Sequence, residues 1–202
     1  MMVPMLEQRI QQQFFESADL KYQAAEVLGR PIAEAVQAMV AGLTSGGRVI
    51  VTGLGVSASL AQLMASELIG RFERDRPGLA AIVLGSDGVA LAALAADGGF
   101  NSVLARQIET LGQPGDLLLL IDSDGDHPAL LAAVVAAQSK EMTVIALTGR
   151  TGGAVRAALD ETDVLMAVPH DRRVRVLETQ LLVLHCLCDA IDLQLLGEQD
   201  PA

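Results

Sequence analysis

Asp116-Leu117-Leu118-Leu119-Leu120-Ile121 is an apolar run behind one acidic residue, and its reading decides the fold. A strand with one wet face alternates apolar and polar residues, whereas an unbroken apolar run needs cover on both faces. Four more short runs share this character, at 48–52, 80–84, 142–147 and 163–168. Helical segments lie between them, at about 57–73, 87–96, 100–112, 128–140 and 152–160. Strand–helix repetition with doubly covered strands predicts an α/β three-layer sandwich, built on a five-stranded parallel sheet of Rossmann-like topology.

Working outward, residues 5–28 read as a Gln-rich amphipathic helix, with Leu6, Ile10 and Phe14 four apart. Pro31 suits the first turn of a second helix that ends near Ser45-Gly46-Gly47. At the other end a long helix is expected over about 172–197, apolar nearly all round between Leu181 and Leu187. One sheet face cannot bury every side of such a helix, so part of it is expected to pack against another subunit of a homo-oligomer. The whole chain, 1–202, is read as one domain: N-terminal helices (1–46), an α/β core (47–170) and a C-terminal interface helix (171–197).

Composition narrows the function classes. At 51% hydrophobic and 19% charged residues, the chain can bury a core and is not disordered. Its 14 Lys+Arg against 25 Asp+Glu give a net charge of -11, which disfavours direct nucleic-acid binding. Two basic clusters, Arg71, Arg74 and Arg76 (interleaved by Glu73 and Asp75) and Arg172, Arg173 and Arg175, read as solvated charge. No apolar run approaches the ~18 residues of a membrane span, and no signal peptide is read at the start. Cys186 and Cys188, two apart on a helix, point to different faces and read as reduced thiols of a cytoplasmic protein.

In an open parallel sheet, ligands gather beyond the carboxyl ends of the strands. Three loops are expected there, at 52–57, 122–127 and 148–153. Gly53 and Gly55 let backbone N–H groups approach an anion, and Ser57 is placed to cap the next helix while bonding a ligand oxygen. The spacing does not complete a dinucleotide fingerprint, because Ala58 stands at the third-glycine position. Tight strand-to-helix turns require glycine in any case.

Read together and in order, Gly53-Leu-Gly-Val-Ser57, residues 67–77, Gly115-Asp-Leu-Leu-Leu, residues 144–149, Glu178 and residues 185–192 resemble one family over essentially 5–197. That family is the SIS (sugar isomerase) domain, in the branch of phosphoheptose (sedoheptulose 7-phosphate) isomerase and the DnaA initiator-associating protein. The resemblance implies a cytoplasmic homotetramer with the sheet deduced above. It also implies Glu67 and His185 as catalytic base and acid, moving a proton between adjacent sugar carbons through an enediol. In the isomerase pattern a zinc ion is held by a His four residues before the glutamate, by the glutamate, and by a Gln and a His eight apart in the last helix. Here the first and third of those positions are Leu63 and Leu177, so no zinc and no other cofactor is expected.

The resemblance further implies a hydroxyl-rich phosphate loop, but this chain has Asp122-Ser123-Asp124-Gly125-Asp126-His127, with Ser123 the one hydroxyl left. Carboxylates repel a phosphate dianion. Asp126 is expected to cap the helix that starts at Pro128. Candidate ligand residues are therefore Gly53, Gly55, Ser57 and Ser123, with Glu67 and His185 as vestigial catalytic residues and no metal. Leu195 and Leu196, ahead of Gly197 and an acidic tail, are candidate partner-binding residues. The expectation from the damaged site is a non-catalytic tetrameric regulator of replication initiation, resembling the DnaA initiator-associating protein and acting by binding that initiator. The alternative is a sugar-phosphate isomerase with a degenerate site, or a sensor that binds a sugar phosphate without turnover.

Overall fold

The structure, a computed structural model, describes residues 2–198. The five apolar runs are strands: β1 (Val49–Gly53), β2 (Ala81–Val83), β3 (Leu117–Ile121), β4 (Thr143–Thr148) and β5 (Val164–Ala167). They form one parallel sheet in the order β2-β1-β3-β4-β5. Alternate residues along β3 enter different cores, which explains its unbroken apolar character. Leu117, Leu119 and Ile121 join one cluster, and Leu118 and Leu120 the other.

The helices are α1 (Met2–Thr44), α2 (Ser57–Ile69), α3 (Gly88–Gly98), α4 (Val103–Leu111), α5 (Pro128–Ser139), α6 (Gly153–Ala158) and α7 (Arg173–Leu196). Buried residues of α1, α2 and α7 cover one sheet face, and those of α4, α5 and α6 the other. The segment read as a single helix over 100–112 is a 3-10 turn, Phe100–Ser102, followed by α4. No single helix among the described residues is long and apolar enough to cross a membrane.

The N-terminal segment departs from expectation. Instead of two helices meeting at Pro31, α1 is one helix of 43 residues with Pro31 inside it. Proline removes a ladder hydrogen bond and is costly in a helix interior. Packing offsets that cost: Leu20, Ala24, Leu28, Ala35, Val36 and Met39 are buried, with Ile32 packed against them, so one stripe runs through the proline and docks on the core. Toward the N-terminus the apolar side chains Leu6, Ile10, Phe14 and Phe15 stay exposed.

Candidate active site

Strand order sets the place of the site. The chain goes from β1 to β2 on one side, then crosses back to pair β3 on the other, so the loops after β1 and β3 diverge. Gly53 and Ile121, the last residues of these strands, are register partners. The predicted loops at 52–57 and 122–127 thus flank the crevice at the topological switch point.

Gly53 and Gly55 have separate structural reasons. A Cβ on Gly53 would lie 2.7 Å from the backbone of Ser57 and 2.8 Å from the Ile121 carbonyl oxygen, so glycine lets the start of α2 press against the sheet. Gly55 has a φ of 57°, a left-handed turn. Ser57 is buried and is the first residue of α2 rather than its cap; Val56 holds the N-cap position and contributes no side-chain hydrogen bond. No side chain caps α2: the N–H groups of Ser57, Ala58 and Ser59 donate instead to the carbonyls of Leu54, Gly55 and Val56, at 3.1, 3.2 and 3.0 Å, and the helix dipole alone favours an anion at this end.

The aspartate loop is folded on itself. Asp122 Oδ2 accepts from the N–H groups of Asp124 (3.0 Å) and Gly125 (2.7 Å). Ser123, buried, donates to Asp124 Oδ2 at 3.3 Å. Asp126 does not cap the helix that starts at Pro128. It accepts from Ala154 N at 2.8 Å, at the start of α6, while His127 caps α5 by accepting from Ala129 N through Nδ1 at 3.1 Å. The reason is reach: a residue directly before Pro128 holds the N-cap, which is His127, and Asp126 points across to the neighbouring helix.

Glu67 sits near the end of α2, partly buried, and His185 is partly buried on α7 with its ring 5.7 Å from Phe72. The two helices meet through Met64 and Cys188, whose sulfurs are 3.6 Å apart. Met64 is one turn before Glu67, and Cys188 one turn after His185, so the contact brings both candidate catalytic residues to the α2–α7 interface. Burial, then the nearby Glu67 and Asp192 carboxylates, push the Cys188 thiol up to about 12, against the opposing pull of Arg76.

Gln180 went unremarked in the sequence. Fully buried on α7, it donates from Nε2 to the carbonyls of Asp122 (2.7 Å) and Leu147 (3.1 Å), tying the ends of β3 and β4 to the helix. Its Oε1, and Thr52 Oγ1 at the end of β1, are buried without a hydrogen-bond partner among the described residues. A buried amide between the apolar residues Val176 and Val183 was the available signal.

Both basic clusters read as solvated hold a buried arginine. The Arg76 side chain is 1% exposed and pairs with Asp192 at 2.5 Å, and Arg175 binds Glu178 and Gln13. Each is buried with at least one partner from another element, Asp192 of α7 for Arg76 and Gln13 of α1 for Arg175, which the local sequence does not reveal. Leu195 packs against the core, while Leu196 is exposed. Gln199 and Asp200, in the acidic tail expected to rim this patch, lie outside the described residues.

Among the described residues no group of three or more His, Cys, Asp or Glu side chains is placed to hold a metal ion. Leu63 packs against the main core and Leu177 is partly buried on α7, and neither offers a lone pair. Glu67 and His185 alone remain of the four positions implied by the resemblance, and the residues present do not fit the metal.

A doubly wound parallel sheet with helices on both faces is an α/β domain of the kind that binds ligands at its switch point, and the chain belongs to the SIS domain family, whose signature matches residues 13–149. Its relatives lie in the branch of the phosphoheptose isomerases. It is 58% identical over 196 residues to a phosphoheptose isomerase of Methylibium petroleiphilum (97% of this chain, 98% of that protein), and 47% identical over 192 residues to one of Aromatoleum aromaticum (95% and 97%). A phosphoheptose isomerase structure from Francisella tularensis superposes with a TM-score of 0.88 at 40% identity, covering 92% of this chain and 97% of that one. These relatives overturn the expectation of a non-catalytic regulator of replication initiation: at such identity over nearly full length they are named as enzymes. The expectation gave decisive weight to Leu63, Leu177 and the aspartate loop, and too little to the retained Glu67, His185 and α2 turn.

Proposed function

We propose that this protein is a sugar-phosphate aldose–ketose isomerase of the phosphoheptose type, working with the reduced site just described. The observation that carries this reading is the placement of Glu67 and His185 each one turn from the Met64–Cys188 contact between α2 and α7, in a chain 58% identical to a phosphoheptose isomerase. The Glu67 carboxylate takes the proton from the carbon beside the sugar carbonyl and returns it to the neighbouring carbon. His185 gives a proton to the carbonyl oxygen and takes one from the adjacent hydroxyl as the enediol collapses. Atoms and electrons balance without a co-reactant, and no metal enters the scheme.

Phosphate is assigned to the N-terminal end of α2, at Gly53, Gly55 and Ser57, where the helix dipole favours an anion. The other loop presents Asp122, Asp124 and Asp126, so Ser123 serves the fold rather than the phosphate. The working form is a homo-oligomer. An apolar groove of about 430 Å³ between α1 and α7 is lined by Leu28, Ile32 and Leu182, and the apolar helix α3 has no buried residue. Such surfaces suit contact with a second copy. A cytoplasmic location fits free thiols and a phosphorylated substrate that does not cross membranes.

Purified protein given sedoheptulose 7-phosphate should form the aldose isomer, and Glu67→Gln should abolish turnover. Turnover unchanged in Glu67→Gln would sink the reading.

A further inference from the structure

We infer that Arg76, locked by Asp192, is a positioning residue for the base, fixing Glu67 through the backbone carbonyl of Glu67 itself. This rests on the isomerase reading of the site.

The last four carbonyls of a helix have no partners in its own ladder. Near the end of α2, Arg76 serves two of them from outside the helix: Nη2 donates to the Glu67 carbonyl at 2.8 Å and Nη1 to the Leu68 carbonyl at 2.9 Å. A guanidinium is suited to this because its donors diverge in a rigid plane, and its charge favours the negative end of the helix. Its Nε is held by Asp192 Oδ1 at 2.5 Å, and both side chains are almost wholly buried, at 1% and 3% exposure.

Asp192 lies seven residues after His185 on α7, two turns along the same face, with Cys188 between them. One ion pair therefore fixes the helix of the base to the helix of the acid, next to the Met64–Cys188 contact. Asp192 Oδ2 is buried without a partner among the described residues. An incompletely satisfied buried ion pair is a poor device for stability alone, since apolar replacements of similar shape often serve as well. Its specific product is geometry.

The test compares Arg76→Met/Asp192→Leu, which removes both charges together, with wild type and Glu67→Gln in sedoheptulose 7-phosphate isomerisation. The double variant should fold, with kcat per folded protomer down by about tenfold or more, because misplaced catalytic groups lose rate steeply. KM should stay within about twofold, since phosphate binds at the opposite end of α2. A folded double variant with wild-type kcat overturns the positioning role and leaves the isomerase reading standing. Wild-type turnover in Glu67→Gln, or none in the wild type, overturns the reading and this inference with it. Should the double variant fail to fold, Arg76→Lys and Asp192→Asn decide: a drop in kcat at constant KM supports the role, and wild-type kcat in both overturns it.

Discussion

Replacing Gly53 by alanine tests whether the close approach of α2 to the sheet is what places the site. The added Cβ would meet the Ser57 backbone at 2.7 Å, about 0.7 Å inside the 3.4 Å where ordinary contact begins, and the Ile121 carbonyl oxygen at 2.8 Å. All of these are backbone atoms, so no side chain can swing away, and the first turn of α2 must lift. Overpacking of this kind costs about 1–3 kcal/mol. For a chain of this size that corresponds to a fall in Tm of roughly 2–12 °C. Ser57 and Glu67 ride on the displaced helix, and a shift approaching 1 Å can cost about 100-fold in rate. Gly55→Ala is the comparison: it meets nothing within 4 Å but strains a φ of 57°. It should lose about 1–2 kcal/mol through the backbone and less activity than Gly53→Ala. Scanning calorimetry and steady-state isomerisation on the same preparations give both quantities. If Gly53→Ala retains wild-type Tm and kcat/KM, or loses less activity than Gly55→Ala, the argument from close packing is wrong.

Because Leu63 and Leu177 offer no ligand, isomerisation should survive exhaustive treatment with EDTA; loss of turnover on chelation, restored by zinc, would refute this. Cys188, buried with its thiol pushed up to about 12, should resist iodoacetamide in the native protein and react only on unfolding, as read by mass spectrometry. The folded state holds that proton more tightly than the unfolded chain. The thiol's contribution to stability is therefore complete below about pH 9 and is lost as pH rises toward about 12. Urea unfolding of Cys188→Ala should show a shallower decline over that range, and an identical slope would remove the thiol from the explanation.

Much of the fold was legible in short runs of residues, because a strand covered on both faces has to be apolar throughout. Residues 116–121 announce β3, and the four similar runs announce the rest of the sheet to within a residue or two. The α2 turn was equally legible through Gly53 and Gly55. Pro31 misled because local backbone chemistry predicts a helix boundary there, while the stripe from Leu20 to Met39 docks as one piece. The cap of α5 was misassigned because Asp126 chooses between two helix ends that only packing brings near it.

By itself the sequence determined the succession of strands and helices and the parallel sheet, since these depend on residue type and periodicity; the candidate pair Glu67 and His185, and the leucines at two positions where the isomerase pattern has zinc ligands, came from the resemblance to the SIS domain family. The tertiary structure alone decided which distant residues share a site. Gln180 spanning the ends of β3 and β4, and Arg76 joining α2 to Asp192, are pairings across as many as 116 residues of chain. The physical reason is that a buried charge or amide takes its partner from whatever backbone or side chain packing delivers, and that choice leaves no periodic trace along the chain.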